Sequence, residues 1–414
     1  MTRLFWLSVL IVALFEKPAY SQDGSKILVG RVVDAITNEP LPGVNIFFAN
    51  TIIGTTSQAD GSFQIKDIPG GKYDVVASFI GYQSFLQATD FTVEANDVDK
   101  EVKLHIALES EVRELKEIIV NADTANRARN FLDFKRLFLG ETRNSKTCTI
   151  LNPNDIHIYF DAKDAVLVAH AKKPIEIENH ALGYKIYYYL HQFEVNYKTN
   201  TTYVFGIPRF EELPLKKTRQ YKSRERERIR AYNGSVLHFM RSLRDSSLQQ
   251  SSFTMKKVYT VPNRKRPSDE FLDKKIASLK TKNKNGSMII SINPKDSLPY
   301  YLRLKSAPKE IDSIAPFIYS GKEFFNRSKN EVEGIKGKYE IGYDEQEEIE
   351  YLTYAGRKYT EKQKSKIHFQ HNQLKIYQNG YYEDVRSIFL EGYFSWHEKI
   401  STLLPIEYVP NAKR

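Results

Sequence analysis

Residues 40–63, PLPGVNIFFANTIIGTTSQADGSF, decide the fold of the first part of the chain. Short apolar runs in this stretch are separated by residues that favour turns, namely PLPG at 40–43, Gly54 and Asp60-Gly61. Glycine tolerates a positive φ and aspartate hydrogen-bonds its own backbone, so Asp60-Gly61 predicts a tight turn. Short strands between such turns are typical of a β-sandwich.

The same pattern continues on both sides of this stretch. Residues 27–33 form a short, mostly apolar run that is rich in β-branched residues and leads into a turn at 34–40. Residues 102–108 alternate strictly and close the set of strands. We therefore predict a seven-stranded antiparallel β-sandwich over residues 26–109.

Five further groups of residues carry a resemblance to a known family. They read Gly30-x-Val32-x-Asp34, Pro40 to Ile46, Gly54-Thr-Thr-Ser57-x-x-Asp60-Gly61-x-Phe63, Pro69-Gly70-x-x-Tyr73 and Gly81-Tyr82. In this order they resemble the carboxypeptidase-like regulatory domain. The resemblance implies a transthyretin-like sandwich with a structural or adhesive role, because in carboxypeptidases the metal and the catalytic groups belong to another domain.

The N-terminus has the layout of a secretory signal. Arg3 precedes an apolar run from Leu4 to Phe15, and small residues at positions 19 and 21 precede Gln22. We expect a signal peptide over 1–21 with cleavage between Ser21 and Gln22; an uncleaved anchor is the alternative. The run of ~12 residues is short against the ~20 that a membrane-spanning helix needs.

We accordingly expect an exported protein that is periplasmic, outer-membrane-associated or secreted. No other stretch approaches 18 apolar residues, so we predict no transmembrane span in the mature chain. Cys148 is the only cysteine, which excludes an intramolecular disulfide and fits a bacterial envelope protein.

After a linker at 110–130, we predict one β-rich α+β domain over residues 131–414, so that the chain as a whole is mainly β. Helices are predicted at 125–139, around 225–248 as a pair, and at 268–282, with two or three of them inside the domain. Hairpins are predicted over 156–169 and 183–205. A later meander is predicted with strands at 337–343, 349–355, 365–369 and 373–377.

This second domain is similar to the C-terminal part of exported proteins in which it follows a carboxypeptidase-like regulatory domain. The residues that carry the similarity include Phe138-Leu-Gly140, Ile150-Leu-Asn-Pro153, Ile177-Glu-Asn179 and Arg228-x-x-Ala-Tyr232. That family is uncharacterised, so the similarity implies no activity.

Three pairs of residues that contain a histidine are candidates for reactive sites. His191 and Glu194 form an HxxE pattern, but they lie in a predicted strand, where side chains at i and i+3 point to opposite faces unless a bulge intervenes. The pair His368 and His371 meets the same objection. Ser235 and His238 share a predicted helix face, yet no orienting acid can be named. We predict no catalytic residue, no metal site and no cofactor.

Positive charge is concentrated in the middle of the chain. Residues 209–284 contain 21 Lys/Arg and 8 Asp/Glu, a net charge of +13. Within them, Arg224, Arg226, Arg228 and Arg230 predict a face that binds a polyanion by counterion release. The interspersed Glu225 and Glu227 favour the alternative, a self-paired and solvated surface.

These observations together predict a non-enzymatic exported envelope protein. The sandwich would serve as a docking or spacer module, and the second domain would bind a partner, a glycan or an anionic surface. Export disfavours nucleic acid as the partner. The alternative is a hydrolase with an unrecognised site in the second domain.

Overall fold

The structure is a computed structural model. It describes residues 26–92, 101–110, 126–215, 217–283, 297–326, 331–344, 349–356, 362–383 and 387–410. Two compact units emerge from the contacts within the chain. The first comprises residues 1–47 and 53–112, and the second comprises residues 48–52 and 113–414.

The first unit is a sandwich of seven strands. These are β1 (Lys26–Asp34), β2 (Asn45–Phe48), β3 (Gly54–Thr56), β4 (Ser62–Ile68), β5 (Lys72–Ser78), β6 (Phe85–Asp90) and β7 (Glu101–Leu108). One sheet has the order β4-β1-β7 and the other has the order β3-β2-β5-β6. The predicted mainly-β class is confirmed, but β1 and β7 pair in parallel, so the sandwich is not wholly antiparallel.

Turn chemistry holds the sandwich together where the sequence predicted it. Gly61 has φ = +79°, and Asp60 Oδ1 accepts the Ser62 N–H at 3.0 Å, which confirms the tight turn between β3 and β4. A Cβ on Gly30, in the middle of β1, would lie 2.0 Å from the Leu104 carbonyl oxygen of β7. The close approach of these two strands therefore requires glycine at this position.

The second unit combines strands and helices, whose bounds are as follows. The helices are α1 (Arg127–Leu139), α2 (Thr218–Tyr232), α3 (Val236–Arg244), α4 (Asp269–Asn283), α5 (Leu298–Ser306), α6 (Ile349–Tyr354) and α7 (Tyr393–His397). The strands are β8 (Cys148–Ile150), β9 (Ile156–Asp161), β10 (Val166–Ala171), β11 (Ile175–Asn179), β12 (Tyr184–Asn196), β13 (Thr201–Glu212), β14 (Phe253–Pro262), β15 (Glu310–Ile314), β16 (Phe325–Asn326), β17 (Glu331–Glu333), β18 (Gly337–Tyr343), β19 (Gln363–Phe369), β20 (Gln373–Leu374) and β21 (Ile388–Gly392).

A six-stranded sheet is built around the long hairpin of β12 and β13. On its other edge, β12 pairs with β11 along its first half and with β10 along its second half. β8 pairs with β11 and β9 pairs with β10, which completes the sheet. Alternate residues of β12 are buried, because successive side chains of a strand point to opposite faces. Helix α1 packs on this buried face, with the Phe134 and Phe193 rings 4.8 Å apart and the Phe138 and Tyr188 rings 5.1 Å apart.

A five-stranded sheet with the order β15-β14-β18-β19-β21 forms the second core of this unit. Helices α3 and α7 contribute Phe239 and Phe394 to that core. On the opposite face, Asp312 of β15 forms ion pairs with Lys338 of β18 and Lys366 of β19. A three-stranded sheet has the order β16-β17-β20.

Most predicted elements are present, and one is wrong. Residues 349–355, predicted as a strand, form helix α6. The neighbouring Tyr351 and Leu352 are both buried, at 8% and 2% exposure, and two successive buried residues fit a helix face rather than an alternating strand. The second unit also holds more helices than the two or three predicted, because α5, α6 and α7 are too short to give a periodic signal.

Two predictions fall largely outside the described residues. The predicted signal peptide at 1–21 lies outside them, as does most of the linker at 110–130. None of the described helices combines the length and the apolar character that crossing a membrane requires.

Candidate functional site

Helix α2 carries the four arginines that the sequence singled out. At its start, the backbone N–H of Lys217 donates to the side-chain oxygen of Gln220 at 3.2 Å. At its end, the Asn233 N–H donates to the Ile229 carbonyl at 2.9 Å, and Gly234 follows with φ = +72°. Both ends of α2 are thus fixed by local hydrogen bonds, which sets the direction of each side chain along it.

Two of the four arginines point inward. The Arg228 guanidinium donates to the Leu182 carbonyl at 2.8 Å, pairs with Glu212 at 3.1 Å and lies 4.1 Å from the centre of the Tyr184 ring. Arg224 donates to the Leu213 carbonyl at 2.6 Å. These two side chains are four residues apart, on one helix face, and they tie α2 to the sheet.

The two acidic residues of α2 are also used within the unit. Glu225 accepts the Tyr408 hydroxyl at 3.1 Å. Glu227 accepts two hydrogen bonds from one Arg143 nitrogen, at 2.5 and 2.7 Å. Both carboxylates therefore have partners elsewhere in the second unit.

The outward side is a stripe of cations. Arg219, Lys222 and Arg226 are exposed, and their spacing of three and four residues places them on one face with Arg230. Among the described residues, no acidic group forms an ion pair with Arg219, Lys222 or Arg226, and Arg230 has Glu350 at 3.9 Å. We call these four residues the basic stripe.

The basic stripe overlaps only partly with the predicted face. Arg226 and Arg230 belong to both, whereas Arg224 and Arg228 serve the packing of α2. Lys222 begins the basic stretch seen in the sequence, but neither it nor Arg219 was assigned to the predicted face, because helix α2 begins at Thr218, seven residues before the helix expected from the sequence. A helical period applied from Thr218 onward would have grouped residues 219, 222, 226 and 230.

The histidines weighed as reactive groups are dispersed. His191 is exposed beside a bulge in β12, near the Phe205 ring, and His368 contacts Gln370. His238 Nδ1 accepts the Gly234 N–H at 3.2 Å, and His180 lies 3.3 Å from Glu178. Within the part of the chain that the structure describes, no three His, Cys, Asp or Glu side chains are placed to hold a metal ion.

One histidine is buried next to an acid. His397 is 5% exposed, its Nδ1 lies 3.3 Å from Glu398 Oε1, and it lines a cavity of about 20 Å³ together with Thr142, Asn144 and Arg230. That volume holds about one water molecule. A larger open groove of about 480 Å³ contains His371, Glu331 and Glu383.

The single cysteine has a structural environment. Cys148 is 4% exposed in β8, and its thiol lies 3.4 Å from the Asn144 carbonyl. Burial raises the pKa of the Cys148 thiol to about 12, so that it is protonated at neutral pH. A reactive thiol needs the opposite shift.

Comparison with protein families identifies the first unit. Residues 28–120 match the model of the CarboxypepD_reg-like domain. The N-terminal sandwich is therefore a domain of this type. No curated protein matches the chain.

Solved structures match about a fifth of the chain. The pilus 2b backbone protein of group B streptococcus shares 16% identity over 21% of this chain and 41% of its own, with a TM-score of 0.18. A cohesin–X-dockerin complex from Acetivibrio cellulolyticus shares 18% identity over 20% and 57%, with a TM-score of 0.17. Catechol 1,2-dioxygenase from Acinetobacter sp. ADP1 shares 13% over 22% and 55%, also at 0.17. This chain thus spans less than two thirds of each, and similarity at this level carries no functional assignment.

Proposed function

We propose that this chain is a non-enzymatic, exported envelope protein whose second unit binds an anionic partner, glycan or surface through the basic stripe of α2. The sandwich acts as a docking or spacer module. The observation that carries the proposal is the arrangement of side chains on α2. Arg224 and Arg228 bond within the second unit. Arg219, Lys222 and Arg226 are exposed and form no ion pair among the described residues.

The charge density of the stripe favours the binding of a polyanion. Four cations on one face of a 15-residue helix attract counterions, and a polyanion that displaces them gains the entropy of their release. A solvated, self-paired surface would require Glu225 and Glu227 to lie beside these cations. Glu225 accepts a hydrogen bond from Tyr408 and Glu227 pairs with Arg143, while the pair that the stripe makes within the chain is that of Arg230 with Glu350 at 3.9 Å.

Retention on a heparin column as a function of salt tests this proposal. We expect the chain to bind at low salt and Arg219→Glu/Lys222→Glu/Arg226→Glu to elute at clearly lower salt. Each lost contact should reduce the slope of log affinity against log salt by about 1, so by about 3 for the triple variant.

A matched control reverses three exposed lysines elsewhere in the second unit. Lys146→Glu/Lys172→Glu/Lys322→Glu changes the net charge by the same amount, and these residues are exposed with no ion pair among the described residues. The control should elute close to the wild-type chain. Equal loss of retention in both triple variants would show a response to net charge alone and would contradict a specific surface on α2.

The alternative function is a hydrolase with a site in the second unit. The buried His397–Glu398 pair has the form of a base and its orienter, and the groove around His371 has the size of a substrate pocket. A panel of ester, peptide and glycoside substrates tests it. Turnover that disappears in His397→Ala or His371→Ala would favour the hydrolase over the binding protein.

A further inference from the structure

The sandwich exposes two isoleucines at one end. Ile36 lies in the loop after β1 and is 85% exposed, and Ile80 lies in the loop after β5 and is 90% exposed. The two loops are adjacent, because the Tyr82 hydroxyl donates to Asp34 Oδ2 at 2.9 Å. Burying exposed apolar side chains favours association, so two exposed isoleucines on adjacent loops give this end an apolar contact surface.

Both loops are held in place by hydrogen bonds. Asp34 Oδ1 accepts the N–H groups of Ile36 and Thr37 at 2.8 and 2.9 Å, and the Gln83 N–H donates to the Glu109 carbonyl at 2.9 Å. A rigid loop loses little conformational entropy when a partner binds to it. The two isoleucines are therefore presented in a fixed position.

The loops at this end carry acidic charges only. The loops 34–44, 57–61, 79–84 and 109–110 contain four acidic residues and no Lys or Arg. Three of the acids, Asp34, Glu39 and Glu109, form no ion pair among the described residues. The fourth, Asp60, lies beside Arg31, whose Nε donates to the Asp60 carbonyl at 2.9 Å. Hydrogen bonds from Thr37, Ile36 and Tyr82 hold the pKa of Asp34 below its ordinary value, so this group is anionic at neutral pH.

We call this surface, formed by Asp34, Ile36, Glu39, Ile80 and Glu109, the acidic end. The negative charge of the acidic end is complementary to the positive charge of helix α2. Within the basic stripe, Arg219, Lys222 and Arg226 form no ion pair among the described residues. Leu215 and Tyr221, close to the start of that helix, are 50% and 47% exposed. In the sequence, residues 26–110 carry 11 acidic and 6 basic residues, whereas residues 209–284 carry a net +13.

We infer that the acidic end of one copy of this chain docks on the basic stripe of a second copy. The inference rests on the proposed function, since both use the basic stripe, and it names the partner. Complementary charge would steer the two surfaces together, and the isoleucines would supply the apolar contact. The contact joins two different surfaces, so it is heterologous and can continue to a third copy.

The test is sedimentation of the full chain over a concentration series at 50 and 500 mM NaCl. We expect reversible association beyond the dimer at low salt, with a dissociation constant at least about tenfold higher at high salt. Ile36→Ser/Ile80→Ser should weaken association without changing the charge. A chain that stays monomeric at low salt overturns the inference.

Charge reversal on either surface makes the test specific. Glu39→Lys/Glu109→Lys alone, and Arg219→Glu/Lys222→Glu/Arg226→Glu alone, should each remain monomeric, because like charges then face each other. Mixing the two variants should restore association, since every contact between them again joins opposite charges. Association of either variant by itself at wild-type strength, or no association in the mixture, overturns the pairing of these two surfaces.

Two further measurements separate this inference from other occupants and from the proposed function. Flotation with vesicles of phosphatidylcholine and phosphatidylglycerol that disappears in Ile36→Ser/Ile80→Ser would assign the isoleucines to a lipid surface and overturn the inference. Heparin retention through α2 by a chain that never self-associates would leave the proposed function standing and remove only the second copy as partner. A chain that neither self-associates nor binds heparin through α2 would contradict both this inference and the proposed function.

Discussion

At the scale of single residues, the ionisation of Glu407 depends on the fold of the second unit. Its Oε1 accepts the N–H of Ile52, which belongs to this unit, at 2.6 Å. Its Oε2 is buried with no hydrogen-bond partner among the described residues. Burial raises the pKa of the Glu407 carboxyl to about 7, although the hydrogen bond from Ile52 and the charge of Arg241 oppose the shift.

This raised pKa predicts a defined pH dependence of stability. In the unfolded chain a glutamate titrates near pH 4.3, so between about pH 4.3 and 7 the folded chain binds a proton that the unfolded chain has lost. The free energy of unfolding should therefore fall as the pH rises through this window and level off above it. For a shift to about 7, the loss is up to about 3–4 kcal/mol.

Glu407→Gln isolates this contribution because the amide is neutral at every pH and keeps an acceptor for the Ile52 N–H. The difference in the free energy of unfolding, variant minus wild type, should be about 2–3 kcal/mol larger at pH 8 than at pH 5. Urea denaturation of both proteins at the two pH values measures the difference. The same difference at pH 5 and pH 8 would show that Glu407 is ionised in the folded chain at both.

At the scale of elements, helix α2 separates residues that stabilise the fold from residues that face solvent. Arg228→Ala removes the hydrogen bond to the Leu182 carbonyl and the pairing with Glu212, and its side chain is only 12% exposed. We expect a loss of about 1–3 kcal/mol in the free energy of unfolding. Arg226→Ala, on the opposite face, should change it by less than about 0.5 kcal/mol.

In heparin binding we expect the opposite order of effects, with the larger loss in Arg226→Ala. Arg226→Ala should elute earlier from heparin, whereas folded Arg228→Ala should elute with the wild-type chain. Denaturation in urea and the salt needed for elution, measured on both proteins, give the two readouts. A stability loss from Arg226→Ala equal to that from Arg228→Ala would contradict the assignment of faces on α2.

Elements with strong local chemistry were predictable from the sequence, and those decided by tertiary partners were not. The Asp60-Gly61 turn follows from local backbone preferences, which is why the sandwich could be derived before its structure was known. By contrast, the parallel pairing of β1 and β7 joins strands about 70 residues apart and leaves no local signal. The strand predicted at 349–355 was wrong for a related reason, because alternation over a few residues does not distinguish a strand from a short buried helix.

The candidate site shows the same limit at finer detail. Clustered arginines on a helix were visible in the sequence, and they did predict that part of α2 is cationic. Which of them face outward depends on distant partners such as Leu182 and Tyr408. The roles of Glu225 and Glu227 depend on such partners as well. The sequence alone therefore does not decide between a polyanion-binding face and a self-paired, solvated surface.

At the scale of the whole molecule, the chain consists of two units with separate hydrophobic cores. Leu28 is 0% exposed in the middle strand of the β4-β1-β7 sheet, and Ile341 is 2% exposed in the middle strand of the five-stranded sheet. Chains of this size with separate cores commonly unfold in more than one step. We therefore expect each unit to have its own unfolding transition.

The two tryptophans allow the transitions to be distinguished. Trp6 lies in the predicted signal peptide, so in a chain that starts at Gln22 the remaining tryptophan is Trp396, which is 8% exposed in the second unit. Its fluorescence should follow the second unit alone, while circular dichroism follows both. Truncating a buried Leu or Ile to Ala costs about 2–5 kcal/mol, which is enough to move one transition visibly.

Leu28→Ala should accordingly shift one phase of the circular dichroism curve in urea and leave the midpoint of the Trp396 fluorescence unchanged. Ile341→Ala should lower the fluorescence midpoint and leave the other phase where it was. The two variants make equivalent changes in two central strands, so each serves as the control for the other. If Leu28→Ala lowers the fluorescence midpoint as much as Ile341→Ala does, the two cores unfold as one cooperative unit, because a cavity in the sandwich then destabilises the surroundings of Trp396 as well.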